Sequence, residues 1–205
     1  MPLLNEYIRQ LLPEMTQWRR DLHHYAESGW VEFRTASKVA EQLHQLGYDL
    51  TLGRDAVDAD SRMGLPDEVT LANAFQRARE QGAPEPWLSA FEGGFTGIVA
   101  TLDTGRPGPT LAFRVDMDAL DLNEDTDGHH RPFREDFASC NPGMMHACGH
   151  DGHTAIGLGL AHVLKQYADR LHGVIKLIFQ PAEEGTRGAR AMVAAGVMDD
   201  VDYFT

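Results

Sequence analysis

The amino-acid sequence predicts an α/β fold in which a layered sheet is flanked by helices. The C-terminal half reads strand, helix, strand, helix, strand, an order typical of layered α/β domains. Its middle strand, GVIKLIF at 173–179, is almost continuously apolar, as expected of a central strand covered on both faces. The preceding helix, at 154–171, is apolar on most sides and should be buried. Ligands of such domains bind beyond the carboxyl ends of the strands.

The N-terminal part predicts helices followed by a strand. Apolar residues recur at helical spacing between Leu3 and Glu27, and Pro13 suits the first turn of a helix, so two successive helices are predicted there. The segment TASKVAEQLHQLG predicts an amphipathic helix with Thr35 as its N-cap and Gly47 at its end. The next residues, YDLTL, predict a strand.

The middle of the chain is less regular. Acidic residues, Gly and Pro interrupt residues 53–94 around one predicted helix, 70–81, so this segment is interpreted as an insertion on the scaffold. Two strands follow, TGIVATL and TLAFRVDM, and the Gly and Pro residues of DTGRPGP between them predict a hairpin of antiparallel neighbours. Further on, TRGARAMVAAG predicts a helix that ends at Gly196, and VDYFT begins another strand.

Composition excludes several classes of partner. The 205 residues carry a formal net charge of -13, which leaves no basic surface for nucleic acid or anionic membranes. The N-terminus lacks the features of a signal peptide, and the longest apolar run, AIGLGLAHVL, is too short to cross a bilayer. One globular unit located in the cytoplasm is therefore predicted. A disulfide between the two cysteines, Cys140 and Cys148, is not expected in that reducing compartment.

A cluster of metal-ligating residue types occurs in MMHACGHDGHTA, residues 144–155. In an extended chain, side chains two positions apart point the same way, so His146, Cys148 and His150 should face one point. Thiolate and imidazole bind divalent transition metals, and Gly149 allows the backbone to bend between them. With His153, the segment has four donors in eight positions, which favours a metal site over ordinary polar loop residues.

A second cluster follows the predicted central strand, in FQPAEEG. Adjacent side chains of a non-helical stretch diverge, so one of Glu183 and Glu184 can bind a metal while the other faces a water molecule and takes its proton. The alternative is a solvated acidic turn. At the end of another strand, Asp118 either orients a ligand or, like Asp116, caps the next turn; these two interpretations stay open.

The histidines of the N-terminal helical region have a simpler interpretation. His23 and His24 are adjacent in WRRDLHHYAE, where packing and a charged surface stripe explain them best.

Four segments together, WRRDLHHYAESGWVEFRT, AFRVDMDAL, MHACGHDGHTA and IFQPAEEGTRGARAMVAAG, resemble the aminoacylase and hippurate-hydrolase branch of the dinuclear metallopeptidases, peptidase family M20. The resemblance covers essentially the whole chain and implies the N-terminal part of a zinc-peptidase-like catalytic domain. It further implies that Cys148, His150 and Glu184 bind metal, that Glu183 is the general base, and that a water molecule bridging two manganese or zinc ions is the nucleophile.

Further segments, SRMGLPDE, FEGGFTGIVATLDTGRPGP and FASCN, resemble the members of this family that hydrolyse p-aminobenzoyl-glutamate. The implied reaction is hydrolysis of an amide bond to glutamate. With this folate breakdown product as the substrate, p-aminobenzoate and glutamate would be released. The resemblance also implies a homologous second subunit or a homo-oligomer as the assembled form.

The chain departs from the family pattern in one respect. Relatives supply two more metal-binding histidines and a smaller domain for pairing and closure further along the chain, whereas no histidine follows His172 here. The 205 residues are therefore expected to be inactive alone.

Arg187 and Arg190 are the nearest candidates to bind substrate carboxylates, unless they are only surface charges. Alternatives are hydrolysis of other N-acyl amino acids and a non-catalytic metal-binding subunit.

Overall fold

The computed structural model describes residues 2–205, with side chains from residue 4 onward. These residues form the α-helices α1 Pro2–His24, α2 Phe33–Gln45, α3 Glu68–Glu80, α4 Glu85–Leu88, α5 Arg131–Arg134, α6 His150–Gln166 and α7 Ala189–Ala194. They also form the strands β1 Asp49–Leu52, β2 Ile98–Asp103, β3 Thr110–Asp116, β4 Val174–Gln180 and β5 Tyr203–Phe204. Short 3-10 helices lie at Gly53–Asp55, Ser89–Phe91 and Ala168–Arg170.

The strands form one mixed sheet in the order β1-β2-β4-β3-β5. The pairs β1 with β2 and β2 with β4 are antiparallel, whereas β4 with β3 and β3 with β5 are parallel. Strand β4 occupies the centre, as its apolar sequence predicts. The predicted α/β class, a layered sheet flanked by helices, is confirmed.

Apolar side chains cover both faces of this sheet. On one face, Ile175, Leu177 and Phe179 of β4 join a large cluster with buried residues of α2, α3 and α6. On the other face, Ile178 lies in a second cluster with Ala191 and Met192, which includes part of α7. The alternation along β4 follows from the period of two in a strand, and burial on both sides explains why the strand is almost entirely apolar.

The predicted hairpin of β2 and β3 is wrong. The two strands run in opposite directions, as expected, but β4 lies between them and pairs with both. The connection at 104–109 passes around the start of β4, where Gly173 N donates to the carbonyl oxygen of Arg106 and Val174 N to that of Pro109. An apolar strand buries more surface in the centre of a sheet than at its edge, and this gain outweighs the local turn signal.

Two predictions for the N-terminal region are also wrong. A single helix, α1, continues through Pro13, because packing of α1 along α6 compensates for the missing backbone hydrogen bond. Helix α2 begins at Phe33, before Thr35, and has no N-cap side chain of its own. The buried carboxylate of Glu27 instead accepts hydrogen bonds from the backbone N–H groups of Arg34 and Thr35, at 3.1 and 2.9 Å.

The segment 53–94 contributes to the main core. Its predicted helix is confirmed as α3, whose N-cap Asp67 accepts a hydrogen bond from Thr70 N at 2.7 Å. The side chains of Leu71, Leu88 and Phe91 are buried in the large cluster. That this segment is an insertion relative to other proteins stays a prediction.

The C-terminal predictions hold with shifted boundaries. Helix α6 begins four residues earlier than predicted, at His150, and α7 spans only Ala189–Ala194. The strand predicted in VDYFT is β5. Cys140 and Cys148 are both free thiols. Within residues 2–205, no helix is long and apolar enough to cross a membrane.

Candidate metal site

The parallel pairing of β3 and β4 brings the acidic residues that follow these two strands to one edge of the sheet. Asp116, the last residue of β3, pairs with Gln180, the last residue of β4. Strands β3 and β4 therefore end at the same edge of the sheet. The residues after β3 lead to Asp118, and those after β4 lead to Glu183 and Glu184. Helix α6 begins at this edge as well, because Thr154 Oγ1 donates a hydrogen bond to the carbonyl oxygen of Asp116 at 2.9 Å.

Three predicted metal ligands lie together here. Donor atoms of Cys148, His150 and Glu184 lie within 4.8 Å of one another. His150 is buried, Glu184 is partly buried and Cys148 is exposed, so the group opens to solvent on one side. Among the residues that the structure describes, none donates a hydrogen bond to the buried Oε1 atom of Glu184, although leaving such an acceptor unpaired is costly. A thiol, an imidazole and an unpaired carboxylate oxygen fit a divalent transition metal.

The imidazole ring of His150 is oriented by its backbone neighbour. Nδ1 donates a hydrogen bond to the carbonyl oxygen of Asp118 at 2.9 Å, which leaves Nε2 directed toward the acidic groups. Nε2 lies 3.7 Å from Glu183 Oε2 and 3.9 Å from Glu184 Oε1. Burial alone would lower the pKa of His150, but hydrogen bonding and the charges of Asp118 and Asp116 raise it to about 9. The site therefore attracts positive charge.

The turn that carries Glu183 and Glu184 is held by Asp118. The backbone N–H groups of Glu183 and Glu184 donate to Asp118 Oδ1 and Oδ2, each at 2.9 Å. Burial by itself would raise the pKa of Asp118, but the hydrogen bonds from His150 and from these two N–H groups lower it. Of the two interpretations of Asp118 left open by its sequence, the structure supports the orienting one, because the backbone carbonyl oxygen of Asp118 orients His150, whereas its carboxylate holds the distant turn at Glu183 and Glu184 and does not cap the turn that follows it.

A second group of donors shares His150. Donor atoms of Asp116, His150 and His153 also lie within 4.8 Å of one another. His153 Nδ1 is 2.7 Å from Asp116 Oδ1, and Arg114 forms an ion pair with the other carboxylate oxygen of Asp116 at 2.7 Å. The sequence carried a signal for this group, since His150 and His153 are three residues apart and lie on one side of a helix.

The predicted convergence of His146 with Cys148 and His150 is wrong. The chain is not extended there, because Gly149 has a φ of 86° and His150 already belongs to α6. His146 belongs to neither donor group among the described residues. Its ring is buried, 6.2 Å from that of His23, and burial lowers the pKa of His146 to about 4. His146 is therefore a neutral, interior histidine.

The expectation that His23 lies on a charged surface stripe is wrong as well. Its side chain is buried between two acids, with Nδ1 2.8 Å from Asp151 Oδ2 and Nε2 2.9 Å from Glu124 Oε1. Burial alone would lower the pKa of His23, but these hydrogen bonds raise it above its ordinary value. The ring thus connects the loop that contains Glu124 to the first turn of α6. His24 is partly buried and hydrogen bonded to the carbonyl oxygen of Ala138.

Replacing His23 with Phe is expected to lower the free energy of unfolding by about 1–3 kcal/mol at pH 6, because each of two carboxylates loses one of its hydrogen-bond partners, although Asp151 keeps Arg19 and Glu124 keeps His130. The folded-state pKa is raised, so the stabilisation is complete below the unfolded value of about 6.5 and is lost as pH rises through the folded value. The difference from wild type should therefore be smaller at pH 9. Urea unfolding at both pH values measures it.

The matched control is His172→Phe, since His172 is exposed. This variant should differ from wild type by less than about 0.5 kcal/mol at either pH. A His23→Phe variant whose stability deficit is the same at pH 6 and pH 9 would contradict the ionic role of His23.

The two arginines considered for substrate binding differ in their surroundings. Arg187 is partly buried, and its Nε donates to the carbonyl oxygen of Glu184 at 2.8 Å, so this guanidinium buttresses the acidic turn. Its Nη1 lies 3.4 Å from the carbonyl oxygen of Gly64, in the 53–94 segment. Arg190 is exposed on α7.

A mixed sheet flanked by helices, with a thiol, an imidazole and a carboxylate at its edge, is compatible with the class of metallopeptidase-type catalytic domains. Residues 112–205 match the family model described as peptidase family M20/M25/M40. Residues 112–205 therefore belong to peptidase family M20, as the sequence motifs there indicated.

Two curated relatives match the whole chain. An indole-3-acetyl-aspartic acid hydrolase from Enterobacter agglomerans is 99% identical over 205 residues, which are 100% of this chain and 47% of the relative. One subunit of the p-aminobenzoyl-glutamate hydrolase from Escherichia coli is 75% identical over 205 residues, again 100% of this chain and 47% of the relative. The chain thus spans about half the length of these curated relatives.

Solved structures agree with this assignment. An aminobenzoyl-glutamate utilization protein from Klebsiella pneumoniae is 72% identical with a TM-score of 0.83, over 98% of this chain and 44% of that chain. A protein from Bacillus subtilis, described as a dinuclear metal binding peptidase from the M20 family, is 29% identical with a TM-score of 0.70, over 96% of this chain and 42% of that chain.

Proposed function

We propose that the full-length protein containing this chain is a metal-dependent amidohydrolase that cleaves the bond between an aromatic acyl group and an acidic amino acid. The observation that carries this proposal is the convergence of Cys148, His150 and Glu184, with Glu183 beside them. Cys148, His150 and Glu184 are the proposed metal ligands. In the complete protein, further residues would complete a centre of two ions, manganese or zinc.

Each residue of the site has a distinct proposed role. A bound divalent metal would supply Lewis-acid polarisation of the scissile carbonyl group and of a water molecule. Glu183 would accept the proton of the attacking water and deliver it to the leaving amine nitrogen, a role supported by the 3.7 Å distance between its Oε2 and His150 Nε2. The carbonyl oxygen of Asp118 keeps Nδ1 of His150 protonated, so Nε2 is the nitrogen that would bind metal once it has lost its proton.

Two substrates are the leading candidates. The 75% identical relative is named for p-aminobenzoyl-glutamate, whose cleavage yields p-aminobenzoate and glutamate in folate breakdown. The 99% identical relative is named for indole-3-acetyl-aspartic acid. Both compounds join an aromatic acyl group by an amide bond to an amino acid with two carboxylates. This shared chemistry defines the proposed substrate class, and hippurate, with one carboxylate, lies outside it.

A comparison of three substrates tests the proposal. The full-length protein is assayed with p-aminobenzoyl-glutamate, indole-3-acetyl-aspartate and hippurate, before and after treatment with a chelator. At least one dicarboxylic substrate should be preferred over hippurate by about tenfold or more in kcat/KM, because an unpaired site for the second carboxylate penalises hippurate. The chelator should abolish turnover. Preference for hippurate, or chelator-resistant turnover, would contradict the proposal.

The full-length protein is also proposed to have a partner subunit. The Escherichia coli relative is named as one subunit of its hydrolase, which supports a partner in the form of a homologous second subunit, with a homo-oligomer as the alternative. Elemental analysis of full-length protein purified without chelator identifies the metal, since availability as well as ligand type selects it. The cytoplasmic location and the inactivity of the isolated 205 residues stay predictions.

A further inference from the structure

A buried carboxyl group lies behind the turn that carries Glu183 and Glu184. Glu32 is fully buried, and its Oε1 accepts a hydrogen bond from the backbone N–H of Ala182 at 2.7 Å. Its Oε2 accepts one from Thr96 Oγ1 at 2.6 Å. Burying a carboxyl group is unfavourable unless it is hydrogen bonded, and both of these partners lie far from Glu32 in the sequence. The Glu32 carboxyl group therefore connects the start of α2 to two distant segments.

The turn needs such an anchor because its first residue is strained. Ala182 has a φ of 47°, a left-handed conformation that costs a non-glycine residue about 1–2 kcal/mol. It is fully buried, and a Cβ atom added at Gly29 would lie only 3.0 Å from both Cα and Cβ of Ala182. The surroundings thus enclose Ala182 tightly, and the hydrogen bond to Glu32 fixes the direction of its N–H group.

Two buried carboxyl groups bind the successive backbone N–H groups of the turn. Asp118 accepts hydrogen bonds from the N–H groups of Glu183 and Glu184, and Glu32 accepts the one from Ala182. Three successive N–H groups are held in this way. Asp118 also contacts His150, so its replacement would disturb several parts of the site at once. Apart from its own backbone N–H group, the Glu32 carboxyl group is hydrogen bonded only to Ala182 of the turn and to Thr96 among the described residues.

We propose that Glu32 is a positioning residue, which holds Ala182 in its left-handed conformation and thereby sets the directions in which Glu183 and Glu184 leave the turn. The expected effect on the dissociation constant for Zn²⁺ follows from this geometry alone. The expected effect on kcat and KM rests on the proposed function.

The chemistry of the Glu32 carboxyl group indicates which replacement should be tolerated. Burial, with the charge of Asp118, raises the pKa of Glu32 to about 8, so the group is mostly neutral at pH 7. In the neutral form Oε1 remains the acceptor for Ala182, while Oε2 carries the proton and donates it to Thr96 Oγ1. Glutamine has the same length and a carbonyl oxygen at this position, whereas aspartate is one methylene group too short to reach.

Glu27 offers a matched control. It is also fully buried, and its carboxylate also accepts two backbone hydrogen bonds, from Arg34 and Thr35 at the start of α2. These bonds support a helix and not the acidic turn. Removing Glu27 should therefore cost stability in the same way as removing Glu32, without displacing Glu183 or Glu184.

The experiment compares Glu32→Ala, Glu32→Gln, Glu32→Asp and Glu27→Ala in the full-length protein, at a temperature where each is folded. The dissociation constant for Zn²⁺ and the values of kcat and KM for p-aminobenzoyl-glutamate are measured. Glu32→Ala is expected to weaken Zn²⁺ binding by about 10- to 100-fold, as for residues that orient metal ligands, and to lower kcat more than it changes KM. Glu32→Gln should stay within about threefold of wild type.

Several outcomes would overturn the proposal. Equal Zn²⁺ affinities of Glu32→Ala and Glu27→Ala would show that Glu32 contributes only to stability. Equal losses of Zn²⁺ affinity and kcat in Glu32→Gln and Glu32→Ala would show that the hydrogen-bond acceptor at position 32 is irrelevant. If Glu32→Ala does not fold, Glu32→Asp decides, since it should also weaken Zn²⁺ binding. If wild type hydrolyses neither dicarboxylic substrate, the proposed function fails, but the Zn²⁺ comparison still tests Glu32.

Discussion

Replacing Glu183 with Gln in the full-length protein is expected to lower kcat by about 100- to 10,000-fold, the usual contribution of a general base. Glutamine has nearly the same shape but cannot accept the proton of the attacking water. Metal content should stay unchanged, because Cys148, His150 and Glu184 are untouched and the turn is held through its backbone by Asp118. Turnover of p-aminobenzoyl-glutamate and elemental analysis of the same preparation measure the two effects.

The control for this change is Glu92→Gln, which removes an exposed carboxylate in the 53–94 segment and should leave kcat unchanged. A Glu183→Gln variant with the turnover of wild type would refute the role of general base. A wild-type protein that binds metal but hydrolyses none of the tested substrates would instead support a non-catalytic metal-binding subunit.

Replacing His150 with Asn should abolish activity and weaken metal binding by more than about 100-fold, beyond the effect of changing a residue that only orients a ligand. The buried Nε2 atom faces Glu183, Glu184 and Asp116 at 3.6–3.9 Å, so its loss removes a donor of both candidate groups. The acidic side chains would then face one another with one cationic partner fewer. Competition with a chromophoric Zn²⁺ chelator measures the dissociation constant.

Asparagine at position 172 provides the corresponding control, because His172 is exposed and belongs to neither donor group. His172→Asn should bind Zn²⁺ as wild type does. Retention of wild-type Zn²⁺ affinity in His150→Asn would mean that the metal lies elsewhere, and the proposed site would have to be abandoned.

Local sequence patterns were sufficient for most of the secondary structure. Helix α3, strand β1 and the central strand β4 were all predicted, because apolar periodicity and turn residues act over a few positions. The neighbours of β4 were not predictable in this way. Ile98 of β2 pairs with Phe179 of β4, and no local pattern encodes a contact across such a separation. The turn signal between β2 and β3 correctly predicted opposite directions but not adjacency.

The sequence by itself determined which residues supply the candidate chemistry, since Cys148, His150, Glu183 and Glu184 occur in short segments dense in donor atoms. Only the tertiary structure decided which side chains hold them in place. Glu32 and Asp118 act through backbone groups more than 60 positions away, and the partners of His23 lie more than 100 positions away. A buried acid has no local sequence signature, because its hydrogen-bond partners are chosen by the packing of distant segments.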